Sequence, residues 1–160
     1  MEVRKIFIMK ATRLHARMLA RTIRPADAEE ILASSGLPPY DAIYESMKMC
    51  KNSCALFLHG ELAAIFGVVR AHSEREGGVF GIVWAITATP VDKHPKDFWR
   101  ASQALVAEYH KEYGMLANMV DARYSAALRW LARLGFTIHP TQPHGPNKMP
   151  FHRAQLARIR

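Results

Sequence analysis

The spacing of apolar and polar positions divides the chain into alternating strands and helices. Val3 to Lys10 is a first strand, carrying Val3, Ile6, Phe7, Ile8 and Met9. A helix follows from Thr12, whose hydroxyl suits an N-cap, with Leu14, Met18 and Ile23 towards one face. Pro25 interrupts it. Asp27, Glu29 and Glu30 suit the opening turns of a second helical segment, which stops at Ser34-Ser35-Gly36. Pro38-Pro39 leads into a third helix, Asp41 to Met49. Ala55 to His59 and Leu62 to Val69 form a hairpin about His59-Gly60-Glu61. Val79 to Thr89 is a long apolar strand containing Trp84. Pro95 opens a helix to Tyr113, with Phe98, Ala101, Leu105 and Tyr109 on one side. Met115 to Asp121 is a strand and Tyr124 to Leu134 a helix closed by Gly135. Phe136 to His139 and Phe151 to Ile159 are the last strands, with a Gly/Pro/Asn turn at His144 to Lys148.

This order, with an antiparallel hairpin in the middle, predicts an α/β protein. Its sheet is mixed and its helices lie on both faces. A length of 160 residues without a linker or repeat predicts a single domain, 1–160. No apolar run reaches the roughly 18–20 residues of a membrane helix. Cys50 and Cys54 form no disulfide framework and have no histidine partner at zinc-finger spacing, so neither a structural disulfide nor a metal site is expected.

Charge adds one feature. The net charge is +8, which suits nucleic acid, an anionic cofactor or an acidic protein surface. Arg13, Arg17, Arg21 and Arg24 recur at helical spacing as a basic stripe, a candidate surface for an acidic partner or for non-specific contact with DNA phosphates. Trp99 is the candidate aromatic anchor of such an interface.

The strand–helix–Leu134-Gly135-Phe136 unit resembles the C-terminal half of the GNAT N-acetyltransferases. The resemblance implies a GNAT-like, mostly antiparallel sheet. It also implies that Val83 to Thr87 would line the thioester of acetyl-CoA and that the loop before the long helix would bind its phosphates. That loop, Thr89 to Lys96, contains no glycine, and Pro90 and Pro95 lack an N–H. Lys93, His94 and Lys96 are its only groups able to attract an anion if acetyl-CoA binds. Leu131 stands where many GNAT enzymes place a proton-donating tyrosine, and leucine donates none; Tyr124 falls at the usual asparagine position.

The chain is similar in finer detail to the GNAT-like proteins of short-tailed bacteriophages, a group that includes a small internal virion protein. The similarity lies in Ala63-Ala64-Ile65-Phe66-Gly67-Val68, the Trp84 strand, Phe98-Trp99-Arg100, Leu116-Ala117-Asn118, Val120-Asp121-Ala122-Arg123 and Leu128-Arg129-Trp130-Leu131. It implies a non-catalytic virion or assembly component that binds other virion proteins, resides in the host cytoplasm and then in the particle, and has no catalytic residues and no cofactor. The alternative is an acyl-CoA-dependent N-acetyltransferase using acetyl-CoA.

Overall fold

The computed structural model describes residues 4–159; Val3 of the expected first strand and Arg160 lie outside them. The strands are β1 (Ile6–Lys10), β2 (Cys54–Leu58), β3 (Glu61–Ser73), β4 (Gly78–Thr87), β5 (Met115–Asp121), β6 (Thr137–His144) and β7 (Met149–Ala157). The helices are α1 (Arg13–Thr22), α2 (Pro25–Ser35), α3 (Pro39–Met49), the single turn α4 (Pro90–Lys93), α5 (Pro95–Tyr109) and α6 (Ser125–Leu134). One seven-stranded sheet runs β1-β2-β3-β4-β5-β7-β6. Only β4 and β5 are parallel neighbours.

Alternation along each strand sends side chains to opposite faces. Ala55, Ile65 and Ile86 pack against α1, α2 and α3 through Leu19, Ile31 and Ile43. Leu56, Leu58 and Phe66 pack against Ala101 and Leu105 of α5. Leu131 and Leu134 of α6 join Val106 of α5 over Leu116 and Ala154. The helices therefore lie on both faces, as the hydrophobic pattern predicts.

The local signals explain most element ends. Thr12 accepts the His15 N–H while the His15 ring accepts the Thr12 N–H, a reciprocal cap of α1. Gly135 ends α6 at φ 103°, a conformation costly for any residue with a Cβ. Three expectations are corrected. Helix α1 buries His15, Ala16 and Leu19, and leaves Leu14 and Met18 exposed. Helix α5 stops at Tyr109 because the chain turns back to bury Tyr113 beneath the sheet. Strand β6 continues to His144 through Pro140 and Pro143, which an edge strand tolerates because its outer N–H groups need no partner.

Strands β4 and β5 pair only at Gly81↔Leu116 and Ile82↔Ala117. Beyond these pairs β4 follows β3 as far as Ala64↔Thr87, whereas β5 follows β7 as far as Asp121↔Phe151. The sheet thus opens into a wedge whose apex is Gly81. A Cβ there would lie 2.7 Å from Val68 Cγ2 and 2.9 Å from Tyr113 Cδ2. Gly81→Ala is expected to destabilise the protein by about 1–3 kcal/mol through overpacking. Chemical denaturation tests this; an unchanged midpoint would show that Tyr113 swings aside freely.

Candidate active site in the opening between β4 and β5

The wedge forms a cavity of about 530 Å³. One wall is the exposed edge of β4. The Thr87 N–H is taken by Asp27 and its carbonyl by the Arg24 N–H, while the Ala88 N–H turns to Ala63 of β3. Because backbone groups alternate in direction along a strand, those of Val83 and Ala85 point the same way as those of Thr87; the bridge Ile82↔Ala117 takes the Val83 N–H, so the Val83 carbonyl and both groups of Ala85 face the opening.

Helix α2 supplies the acidic end. Pro25 sits in its first turn, where a missing N–H costs nothing. The bridge Ile23↔Ala88 ties the start of α2 to the end of β4. Asp27 and Glu30, three residues apart, consequently share the face that meets the cavity. Asp27 is buried and accepts three bonds: Tyr124 Oη–H at 2.6 Å, Thr87 Oγ1–H at 2.7 Å and the Thr87 N–H at 3.1 Å. Burial pushes its pKa up, and these donors oppose the rise.

Glu30 Oε2 accepts the Asp121 N–H at 3.0 Å. Burial, helped by the nearby charges of Asp27 and Asp121, pushes its carboxyl up to about 7. Asp121 differs because Arg123 donates to both its oxygens, at 3.0 Å from Nε and 2.7 Å from Nη2, and holds its pKa down. Tyr124 is buried at the start of α6, and burial together with Asp27 pushes its phenol up. It keeps its proton at neutral pH and donates it to Asp27.

Arg24 closes this end. Its Nη1 donates to Thr87 Oγ1 at 3.3 Å, its Nη2 lies 3.4 Å from Asp92 Oδ1, and its guanidinium sits over the Tyr124 ring. At the opposite end, Trp130 stacks on Phe98 with centroids 4.9 Å apart and meets Trp99 edge-on at 5.1 Å. Arg133 covers the Trp99 ring at 4.6 Å. Arg129 and Arg133, one turn apart on α6, line the cavity with Leu131.

The residues singled out in the sequence are scattered by the fold. Lys93 pairs with Glu61 at 3.3 Å. His94 stacks on His59 at 3.8 Å, and His59 Nε2 lies 2.7 Å from Asp97. Lys96 is exposed. None of these three lines the cavity. Arg13 and Arg17 lie over the stacked rings of Tyr44 and Tyr40 on α3, and Arg21 is exposed. Arg24 leaves the stripe and belongs to the cavity. Trp99 is half-buried in the α5–α6 seam. Asp27 and Glu30, read in the sequence only as helix-opening acids, are the groups the site is built around. Their i, i+3 spacing was visible, but what they would face was not.

The fold is shared with solved acetyltransferase structures. One is an aminoglycoside N(6′)-acetyltransferase from Legionella pneumophila, 9% identical with a TM-score of 0.71 over 96% of this chain and 92% of that one. Another is RimL, the ribosomal L7/L12 alpha-N-protein acetyltransferase in complex with coenzyme A, 10% identical with a TM-score of 0.67 over 98% and 96%. A third is yncA from Salmonella typhimurium with its cofactor acetyl-CoA, 13% identical with a TM-score of 0.65 over 96% and 94%. The architecture is the GNAT acetyltransferase fold. No family model matches the chain, and no curated protein does. The virion relationship draws no support from these neighbours. The expectation of no cofactor is corrected, because neighbours on this fold carry acetyl-CoA or coenzyme A. Among the described residues, no helix is long and apolar enough to cross a membrane.

The residues present fit such a cofactor in one respect and depart from the usual pattern in another. The opened strand edge and the cavity suit a slender amide-bearing arm. Part of the loop between β4 and α5 is closed to a phosphate: the N–H groups of Val91, Asp92 and His94 are bonded to the carbonyls of Ala88, Thr89 and Pro90. Arg129 and Arg133 are the cationic side chains at the aromatic end of the cavity.

Proposed function

We propose that the protein is an acyl-CoA-dependent N-acetyltransferase that transfers the acetyl group of acetyl-CoA to an amine. The observation that carries this reading is Glu30, a carboxyl poised near neutrality at the mouth of an opened β4–β5 seam. When bound, acetyl-CoA supplies its acetyl group as a thioester: the amide C–N bond forms as the C–S bond breaks, and the thiol leaves with one of the two protons given up by the ammonium.

The Val83 carbonyl and the two backbone groups of Ala85 are placed to bond the amides of the pantetheine arm. Arg129 and Arg133 would hold the phosphates. Glu30 accepts the first proton of the ammonium on Oε1, the oxygen not bonded to the Asp121 N–H, and so yields a neutral nucleophile. Asp27 accepts three bonds from Tyr124 and Thr87 and positions them. Neither Leu131, which has no proton to give, nor Tyr124, whose hydroxyl is committed to Asp27, serves as the acid.

Calorimetric titration with acetyl-CoA, followed by an assay of thiol release with a panel of amines, tests the proposal. Micromolar binding and amine-dependent release are expected. Absence of binding at millimolar acetyl-CoA would overturn it.

A further inference from the structure

Arg24 has no part in the proton transfer assigned to Glu30, yet it lines the same cavity. A guanidinium offers five N–H donors. Among the described residues, Arg24 uses two on side chains, one to Thr87 and one towards Asp92. The two partners are unequal. The Arg24 side chain is 20% exposed, whereas that of Asp92 is 62% exposed and touches it at 3.4 Å. An ion pair with one partner in open solvent is worth little and exchanges readily.

The remaining charges at this end narrow what can bind. Asp27 already accepts three donors, two of them on one oxygen, and Asp121 is neutralised by Arg123. Of the less exposed carboxylates here, Glu30 keeps a whole oxygen free for an ammonium; Asp92, exposed and held by Arg24, is the other acid lining the space. A polycation would find two carboxylates, Glu30 and the Arg24-bound Asp92, against three arginines, Arg24, Arg129 and Arg133, around the same space. A molecule with one amine and one carboxylate would find a partner for each.

We propose that the acceptor is an amino acid, with its carboxylate on Arg24 in place of Asp92 and its amine at Glu30. This inference rests on the acetyltransferase reading. Arg24 caps α2 and Glu30 lies six positions further along it, about 9 Å at the helical rise. Both side chains lean into the cavity from one helix, and this spacing suits a small molecule. A planar guanidinium binds carboxylate through paired donors, so the site selects for the carboxylate as well as for its charge.

The test compares free amino acids with their carboxamides, using wild-type protein, acetyl-CoA and thiol release. The carboxamide has the less basic amine and is the readier nucleophile at neutral pH, so a preference for the acid must come from its carboxylate. The acid is expected to show at least about tenfold higher kcat/KM, mostly through KM. Arg24→Gln should remove that preference by raising KM for the acid far more than for the carboxamide; Arg24→Lys should restore part of it. Asp92→Ala should lower KM for the acid a few-fold by removing the competing carboxylate.

Equal kcat/KM for acid and carboxamide in the wild type overturns the inference and leaves the acetyltransferase reading intact. An equal loss for both substrates in a folded Arg24→Gln protein also overturns it, since that is the mark of a purely structural role. If Arg24→Gln does not fold, the wild-type comparison still decides. Failure to bind acetyl-CoA overturns the acetyltransferase reading and this inference with it.

Discussion

Glu30→Gln is expected to lower kcat/KM for amine acetylation by about 10²–10⁴-fold, the usual contribution of a positioned general base. It is also expected to make the protein more stable at alkaline pH. Both effects come from one environment. Glu30 is held in a site that disfavours its charge, so its carboxyl is raised from 4.5 to about 7. Below 4.5 the group is neutral in the folded and unfolded chain alike. Between 4.5 and 7 the unfolded chain releases the proton while the folded one holds it, and stability falls as pH rises. Above 7 the folded state carries the ionised group and the whole penalty, on the order of 3–4 kcal/mol at about 1.4 kcal/mol per unit. Glutamine keeps an oxygen for the Asp121 N–H and cannot ionise, so it escapes this penalty.

The catalytic profile has the matching sign. Wild-type kcat/KM should rise with pH through about 7 as Glu30 becomes a base, and the variant should lose that limb. Melting curves at pH 4.5 and pH 8 should show wild type and variant converging at the lower pH and separating at the higher. A variant with full activity and an unaltered pH profile would remove Glu30 from the mechanism.

Much of the architecture was legible because hydrophobic period and punctuation agree along this chain. The alternation of Leu56 and Leu58 with Ala55 and Phe57 fixes which residues meet α5 and which meet the first three helices. Gly36 and Gly135 close helices where a left-handed residue is needed. The expectations failed where tertiary contacts outweigh local pattern. Tyr113 looks like a continuation of the α5 stripe, but its ring is drawn under Gly81, and the helix ends to let it turn. The site was harder to read because it is assembled by the divergence of two strands. Nothing in Asp27 or Glu30 announces that β4 and β5 will part in front of them. Nor does helical spacing show that Arg24, the last member of an arginine series, will leave α1 to cap α2 beside the end of β4. The absence of glycine from the loop before α5 was visible, and the N–H groups of Val91, Asp92 and His94 are bonded within the loop. It did not imply the lack of an anion site, because the arginines that could provide one lie on α6, more than thirty residues further on.

Those arginines carry the second large effect. Charge reversal of both, Arg129→Glu with Arg133→Glu, is expected to weaken acetyl-CoA binding by at least about 100-fold. An amide cradle binds phosphate through fixed dipoles. Here three backbone donors of the loop are used internally, so attraction for a diphosphate falls largely to flexible, solvated side chains. Such attraction is screened by salt within a Debye length of about 8–10 Å at ordinary ionic strength. Wild-type affinity should therefore drop steeply between low and high salt, and the difference between wild type and double variant should shrink over the same range. Acetyl-pantetheine, which keeps the thioester arm and lacks the nucleotide, should bind both proteins alike, since its contacts lie with Val83 and Ala85. The variant also loses the Arg133 contact over Trp99, worth about 0.5–1 kcal/mol at a partly exposed site. A melting curve therefore accompanies the titration and separates a folding loss from a binding loss. Salt-independent acetyl-CoA affinity, unchanged by the double reversal in a folded protein, would place the phosphates elsewhere. The remaining basic side chains near the start of α5, Lys93 and Lys96, would then be the groups to reverse next.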